Sequence, residues 1–394
     1  MNRKIAIIIE RADISLGGAE RSVFELRAAL SALGLTVDIL AAKGQTDAKN
    51  IHILCSDNPG KRVNFFIFAE AVKQHLSQVK YDIVHSVLPF DFADVYQPRG
   101  GTYAETITRN AASYQNKLQE YYKRFTAVAN SRRTTLLRAE RRLSQKPDGP
   151  VIAALSQYVA EQFKRHYNTD TRRIKVIHNG VKIDKRINPS TADTLRSQIL
   201  AKLNLKEADN PVLFLFVANN YRLKGLLPLL KAMQISAGQH TERQACLIIA
   251  GHGRAKKFQR FLNPSAAKNI VFLGSLSHIQ NALSIVDVAV LPTYYDPSSR
   301  FILEALAANK PVITTKYNGA TDLFINDRHG KIIDSPEDVN ALAEAIQYFT
   351  DTNNIQKASQ AIIEDDLREE ISIDRAAKQL QNLYESILQR KGMT

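Results

Sequence analysis

DVAVLPTYYDPSSRFILEALAANKPVI, residues 287–313, is the stretch from which the fold is read. Residues 288–291 are apolar, of strand length, and end at Pro292. Residues 293–299 are polar and rich in turn formers. Ile302, Leu303, Leu306 and Ala307 then fall on one face of a helix, Pro311 stops it, and Val312 and Ile313 begin another apolar run. Strand, loop, helix, strand is the unit from which parallel sheets are built. The carboxyl ends of such strands are where open α/β sheets take their ligands. Asp296 and Glu304 stand there with seven residues between them. On a continuous helix that spacing is about two turns, so the two carboxylates are expected to face the same side.

Working outward, the same alternation recurs. KIAIIIE, residues 4–10, reads as a buried central strand. The loop RADISLGG follows, and then a helix with Val23, Leu26, Leu30 and Leu33 at helical spacing. Gly17 and Gly18 precede that helix, where a backbone free of Cβ atoms can approach an anion. Strands are expected at residues 36–41, 81–87, 151–155 and around 173–180, the last ending in an Asn179-Gly180 turn. A second series opens with VLFLFVA, residues 212–218, and continues through CLIIAGHG, 246–253, and VFLG, 271–274. The last twenty-odd residues carry Leu380, Leu383, Ile387 and Leu388 on one helical face.

With 394 residues, 44% hydrophobic and 23% charged, the chain has apolar material for two cores. The amino terminus has too short an apolar core for a signal peptide, and no run approaches the roughly 18 apolar residues of a membrane span. Cys55 and Cys246 sit far apart in apolar segments and are expected to be buried, reduced thiols. The unusual bulk feature is the net charge of +14, which favours an anionic partner. Between Arg109 and Lys146, ten basic residues face two acidic ones, leaving +8 of that excess in one stretch interleaved with Tyr114, Leu118, Tyr121, Tyr122 and Phe125. Amphipathic basic helices that lie on an anionic membrane are one reading, and a solvated helical insertion is the other. No nucleic-acid-binding motif is present, and no nucleic-acid partner is expected.

Taken together, GGAER after the first strand, HNGV at residues 178–181, RLKG at 222–225, the GHG of 251–253 and D-x7-E within LEALAANKPVI resemble the glycosyl transferases group 1 family (family 4). These are retaining transferases of GT-B fold, and the likeness is to the lipopolysaccharide core glucosyltransferases in particular. The resemblance spans most of the chain. It implies two Rossmann-like α/β domains facing across a cleft, at 1–185 and 186–370. A basic helical insertion falls at about 106–148 of the first, and a terminal helix, 371–394, crosses back to it. It further implies a nucleotide-diphosphate sugar as co-substrate, UDP-glucose-like, with no metal and no other cofactor. Arg222 and Lys224 would grip the pyrophosphate, and Asp296 would touch the sugar. Fixed cations aimed at a leaving diphosphate lower the barrier, and losing one preorganised stabiliser costs about 3–4 kcal/mol. Donor contacts would come from Gly17, Gly18, Gly225, Gly251, Gly253, Ser299, Arg300 and Phe301, with Glu304 on the ribose.

Two departures stand out. Asp296 replaces the family's glutamate, keeping the charge on a shorter arm. In DVYQPRGGTYAE the family's acidic position is taken by Arg99, Gly100 and Gly101, while Tyr103, Ala104 and Glu105 are retained. An acceptor site drawn from Asp13, His85, Arg99, Gly100, Tyr103 and Glu105 would then suit an anionic glycan or glycolipid. The implied location is cytoplasmic, peripheral at the inner face of the membrane. An epimerase or hydrolase on the same architecture, and a basic binding protein with a degenerate cleft, are the competing readings.

Overall fold

The computed structural model describes residues 3–13, 18–44, 48–56, 63–114, 116–126, 129–183, 187–239, 243–276 and 278–392. The chain divides into two compact units. The first comprises residues 1–111, 116–182 and 372–394, the second 112–115 and 183–371.

In the first unit, β1 (Lys4–Ala12), β2 (Thr36–Gly44), β3 (Ile51–Ser56), β4 (Ile83–Ser86), β5 (Val95–Tyr96), β6 (Val151–Ala154) and β7 (Ile174–Val176) form a parallel sheet in the order β3-β2-β1-β4-β5-β6-β7. The connecting helices are α1 (Gly18–Ala32), α2 (Phe65–Gln78), α3 (Tyr103–Ala112), α4 (Lys117–Thr126), α5 (Ser131–Gln145) and α6 (Gln157–Tyr167). Successive side chains of a strand point to opposite faces, and β1 shows the division. Ile5, Ile7 and Ile9 pack with Leu26 and Leu30 of α1, whereas Ala6 and Ile8 pack with Phe68 and Val72 of α2 and Leu136 of α5.

The strand β3 and the helix α2 have no counterpart among the sequence expectations. The basic stretch also proves heterogeneous. On α4 no residue is buried, but α5 sends Leu136, Glu140, Leu143 and Ser144 inward and is part of the packed unit rather than an appendage. The terminal helix α16 (Ile373–Arg390) packs on the first unit beside α1 through Ala377, Leu380, Tyr384 and Ile387, as the resemblance implied.

The second unit repeats the plan. Strands β8 (Val212–Val217), β9 (Ala245–Ala250), β10 (Ile270–Gly274), β11 (Val288–Leu291), β12 (Val312–Thr315) and β13 (Gly330–Ile333) are parallel in the order β10-β9-β8-β11-β12-β13. Its helices are α7 (Pro189–Leu203), α8 (Leu226–Ser236), α9 (Ala255–Gln259), α10 (Pro264–Ala267), α11 (Ile279–Ile285), α12 (Arg300–Ala307), α13 (Val339–Tyr348), α14 (Thr352–Glu364) and α15 (Leu367–Glu370). The near-continuous apolar character of VLFLFV, ACLIIA and VAVL follows from helices covering both faces of the sheet. Cys246 is buried in β9 while Cys55 is only half-buried, and both are free thiols. Among the described residues no helix is long and apolar enough to cross a membrane.

Candidate functional site

In the second sheet the strand order reverses between β8 and β11. The carboxyl edge at this reversal is the general ligand position of such sheets. The loop after β8 carries Arg222 and Lys224, and the loop after β11 carries Asp296. The two loops are laced together: the Leu223 carbonyl accepts from the Tyr294 amide at 2.9 Å and from Thr293 Oγ1 at 3.3 Å. Gly225 makes this approach possible. Its φ is +79°, and a Cβ there would lie 1.8 Å from the Pro292 carbonyl oxygen, so only glycine fits both the backbone and the space. Gly251, at φ +123°, meets the Ala218 carbonyl in the same way, and Gly253 lies against the Tyr221 ring.

Lys224 Nζ donates to Asp296 Oδ2 at 2.7 Å and to the Tyr295 carbonyl at 2.9 Å, with both side chains largely shielded from solvent. An ammonium has three N–H donors, and the third has no protein partner among the described residues. Arg222 is half-buried. Its guanidinium lies 3.8 Å from the Tyr114 ring centroid and donates to Ser113 Oγ, both from the 112–115 segment that groups with this unit.

Asp296 and Glu304 do not share a helix. Pro297 and the N-cap Ser299 delay α12 until Arg300, so Asp296 lies four residues outside it, in extended backbone bridged to Asn318. The two-turn argument from spacing is thus corrected. Glu304 sits on the buried side of α12, where Arg300 Nη2 donates to its Oε1 at 3.1 Å, and Phe301 is buried beside it. Asn318, which the sequence reading passed over, organises the junction. Fully buried, its Oδ1 accepts from the Ser299 and Ala320 amides at 3.1 Å, and its Nδ2 donates to Thr314 Oγ1 at 3.0 Å. The Asn318-Gly319 pair was legible as a turn former, but its anchoring of α12 depends on β12 lying beside β11.

In the first unit, Gly18 opens α1 and Asp13 follows β1, while Gly17 lies outside the described residues. Arg99 Nη1 donates to Ser22 Oγ and Asn179 Oδ1, both at 3.0 Å, and Gly100 beside it is exposed with open space around it. Tyr103 begins α3, half-buried. Two expected acceptor residues are instead internal. His85 is fully buried under α16, its Nδ1 2.6 Å from Tyr384 Oη, and burial with the nearby Arg99 charge pushes its pKa down to about 3. The imidazole is neutral and sealed between sheet and helix. Glu105 is 2% exposed. Its oxygens take Arg109 and Tyr158 on one side, Arg165 and His166 on the other, at 2.6–3.1 Å. Burial alone would raise its pKa, but His166 and the two arginines outweigh it and hold the group at about 2. It serves as an internal counter-ion.

Two family descriptions match the chain, one to each series of strands. Residues 16–185 match Glycosyltransferase Family 4, and residues 199–365 match Glycosyl transferases group 1. The chain is a glycosyltransferase. The lipopolysaccharide glucosyltransferase WaaG of Escherichia coli K12 is 20% identical over 84% of this chain and 85% of its own. The solved structure of WaaG superposes with a TM-score of 0.66 over 95% and 94% of the two chains. Sucrose-phosphate synthase from Thermosynechococcus elongatus reaches 0.74 at 20% identity over 99% and 100%. HepE of Anabaena, in complex with UDP-glucose, reaches 0.67 at 17% identity over 98% and 100%. The fold is GT-B, with two Rossmann-like parallel-sheet domains. The chain is related to enzymes of lipopolysaccharide and glycan synthesis.

Proposed function

We propose that the enzyme is a retaining hexosyltransferase that moves glucose or a similar hexose from a UDP-sugar to a lipid-linked or lipopolysaccharide-core glycan. The observation that carries this reading is the uncommitted third N–H of Lys224, on an ammonium already oriented by Asp296 and Tyr295 at the switch point of the second sheet. As the anomeric C–O bond of a nucleotide sugar breaks, negative charge gathers on the departing diphosphate. A preorganised cation is worth more there than a mobile one, because no reorganisation is needed at the moment of reaction. Arg222, stacked on Tyr114, supplies a second cation. The first turn of α12 supplies N–H groups of Arg300 and Phe301 that lie outside the helix's own ladder. Glu304 would hold the ribose hydroxyls, with Arg300 fixing its carboxylate, and Asp296 would meet the sugar while orienting Lys224.

With two side-chain cations in place the reaction is proposed to need no metal. HepE, of the same fold, is described in complex with UDP-glucose, which supports a UDP donor. On the first unit, Arg99 and the open backbone of Gly100 favour an acceptor bearing phosphate or carboxylate. The helix α4 exposes Leu118, Tyr121, Tyr122 and Phe125 beside Lys117, Lys123 and Arg124, which supports peripheral attachment to the anionic cytoplasmic face of a membrane.

Thermal shift with UDP, GDP, ADP and their sugars in EDTA tests the donor class. Stabilisation by the uridine series alone, retained without metal and lost in Lys224→Ala and Glu304→Ala, is the expected result. A flat panel for the wild-type enzyme, or stabilisation that survives both substitutions, would overturn the site. Retention is read separately, from the anomeric configuration of the product by NMR.

A further inference from the structure

On the α2 and α5 face of the first sheet lies a cavity of about 670 Å³, separate from the residues discussed above. That size falls in the range of small-molecule sites, roughly 300–1,000 Å³. The segment between β4 and β5, the first half of α2 and the face of α5 from Thr135 to Arg142 line it. Its floor is aromatic. Phe90 stacks on Phe92 with centroids 5.1 Å apart, Phe65 lies 5.0 Å from Phe90, and Phe66 continues the surface while 66% exposed.

The rim is basic. Arg138 and Arg142 stand four residues apart on one face of α5, so the two like charges are neighbours. Neither side chain has a hydrogen bond or ion pair among the described residues. Lys73 faces them from α2, 5.7 Å from the Phe92 centroid and 3.8 Å from Glu70. Asp91 is the acidic residue of the lining. The floor offers nothing to read a sugar or a base, since phenylalanine has no donor or acceptor. The one hydroxyl present, Thr135 Oγ1, is spent on the Ser131 carbonyl at 2.9 Å.

An apolar floor beneath a cationic rim matches a molecule with an apolar chain at one end and an anion at the other. We propose that this cavity binds a single anionic glycerophospholipid, its chain on the phenylalanines and its phosphate between Arg138, Arg142 and Lys73. It is a second ligand site, independent of the donor chemistry and of the exposed face of α4.

Calorimetry on the full chain with dihexanoyl-phosphatidylglycerol below its micelle concentration tests this, with dihexanoyl-phosphatidylcholine and inorganic phosphate as comparators. Saturable binding of the anionic lipid, about tenfold tighter than either comparator, is expected. Ala69→Trp, which fills the cavity without changing charge, should abolish it. Arg138→Ser with Arg142→Ser should reduce the anionic lipid to the level of the zwitterionic one. Should Ala69→Trp fail to fold, Phe66→Ser at the exposed edge takes its place with the same expectation. Phosphate binding as tightly as the lipid would leave only an anion patch. Equal affinity for both lipids would leave only an apolar one, and undiminished binding by the filled variant would put the lipid elsewhere. Each of these, like absence of binding, overturns the proposal.

Discussion

Lys224 and Asp296 are 72 residues apart in the chain and 2.7 Å apart in space. That contact depends on small residues nearby. Gly225→Ala would force a left-handed backbone on alanine and drive a methyl group into the Pro292 carbonyl, so the two loops must separate. Backbone strain of this kind costs about 1–3 kcal/mol. The variant is expected to melt several degrees lower and to lose its response to the donor nucleotide, both read in one thermal-shift series. Asn318→Ala acts on the other side of the site. It leaves the buried Ser299 and Ala320 amides without an acceptor, at about 1–3 kcal/mol for each unsatisfied group. Urea denaturation should show the loss, and donor affinity should fall with it because the start of α12 is released. Asn318→Asp, which keeps the acceptor, should recover most of the amide bonding. If Asn318→Ala left donor binding unchanged, its anchoring role would be wrong.

At the scale of the element, α5 is the most informative. Its outer face is among the most basic surfaces of the chain, yet Glu140 on its inner face is fully buried, accepting from Tyr96 and Tyr167 hydroxyls and the Tyr103 amide at 2.5–2.7 Å. Burial raises its pKa to about 7, even though these three hydrogen bonds pull the other way. Unfolded, the same carboxyl titrates near 4.5, so between about pH 4.5 and 7 the folded state binds more protons and stability falls as pH rises. Glu105 works in the opposite sense and over a lower window: its contribution is complete above about 4.5 and is lost as pH falls toward 2. Urea titrations of the first unit's transition should therefore show stability declining by about 1–3 kcal/mol between pH 5 and 8. Glu140→Gln, which cannot ionise, should flatten that slope. An unchanged slope in the variant would assign the pH dependence to another group.

For the molecule as a whole, two features reach beyond any single element. The first unit is completed only by the last residues of the chain, since α16 buries Ala377, Leu380, Tyr384 and Ile387 against α1 and the sheet. A chain ending at residue 371 should bind a hydrophobic dye in its first unit while residues 183–371 keep their resistance to protease. Equal loss of protection in both would show that the units unfold together. The second feature is charge. With +8 of the net +14 between Arg109 and Lys146, sedimentation with anionic vesicles should weaken as salt rises from about 50 to 300 mM, because the Debye length shrinks over that range. Serine at Leu118, Tyr121 and Phe125 should weaken it further at every salt concentration, as these side chains supply the apolar part of the contact.

The sequence by itself determined the strand–helix alternation, the two-domain α/β class and the family. Strand runs such as VLFLFV, the proline and glycine stops, and motif order are local properties, legible wherever periodicity is strong. It also singled out Lys224, Asp296 and Glu304, which the structure puts on the loop after β8, on the loop after β11 and on α12. What those side chains touch was decided only by the tertiary structure, because partners across β8, β11 and β12 are set by strand order, which spacing along the chain does not encode. The same reason explains the misreadings. His85 ends a strand, as a ligand-facing residue would, but α16 arrives from 299 residues away to cover it. Glu105 sits in a matching motif, but α6 brings Arg165 and His166 to it. Asp296 and Glu304 have helical spacing, but Pro297 and the Ser299 cap start the helix after the first of them. Burial and pairing are properties of neighbours in space, and for these residues the neighbours come from distant parts of the chain.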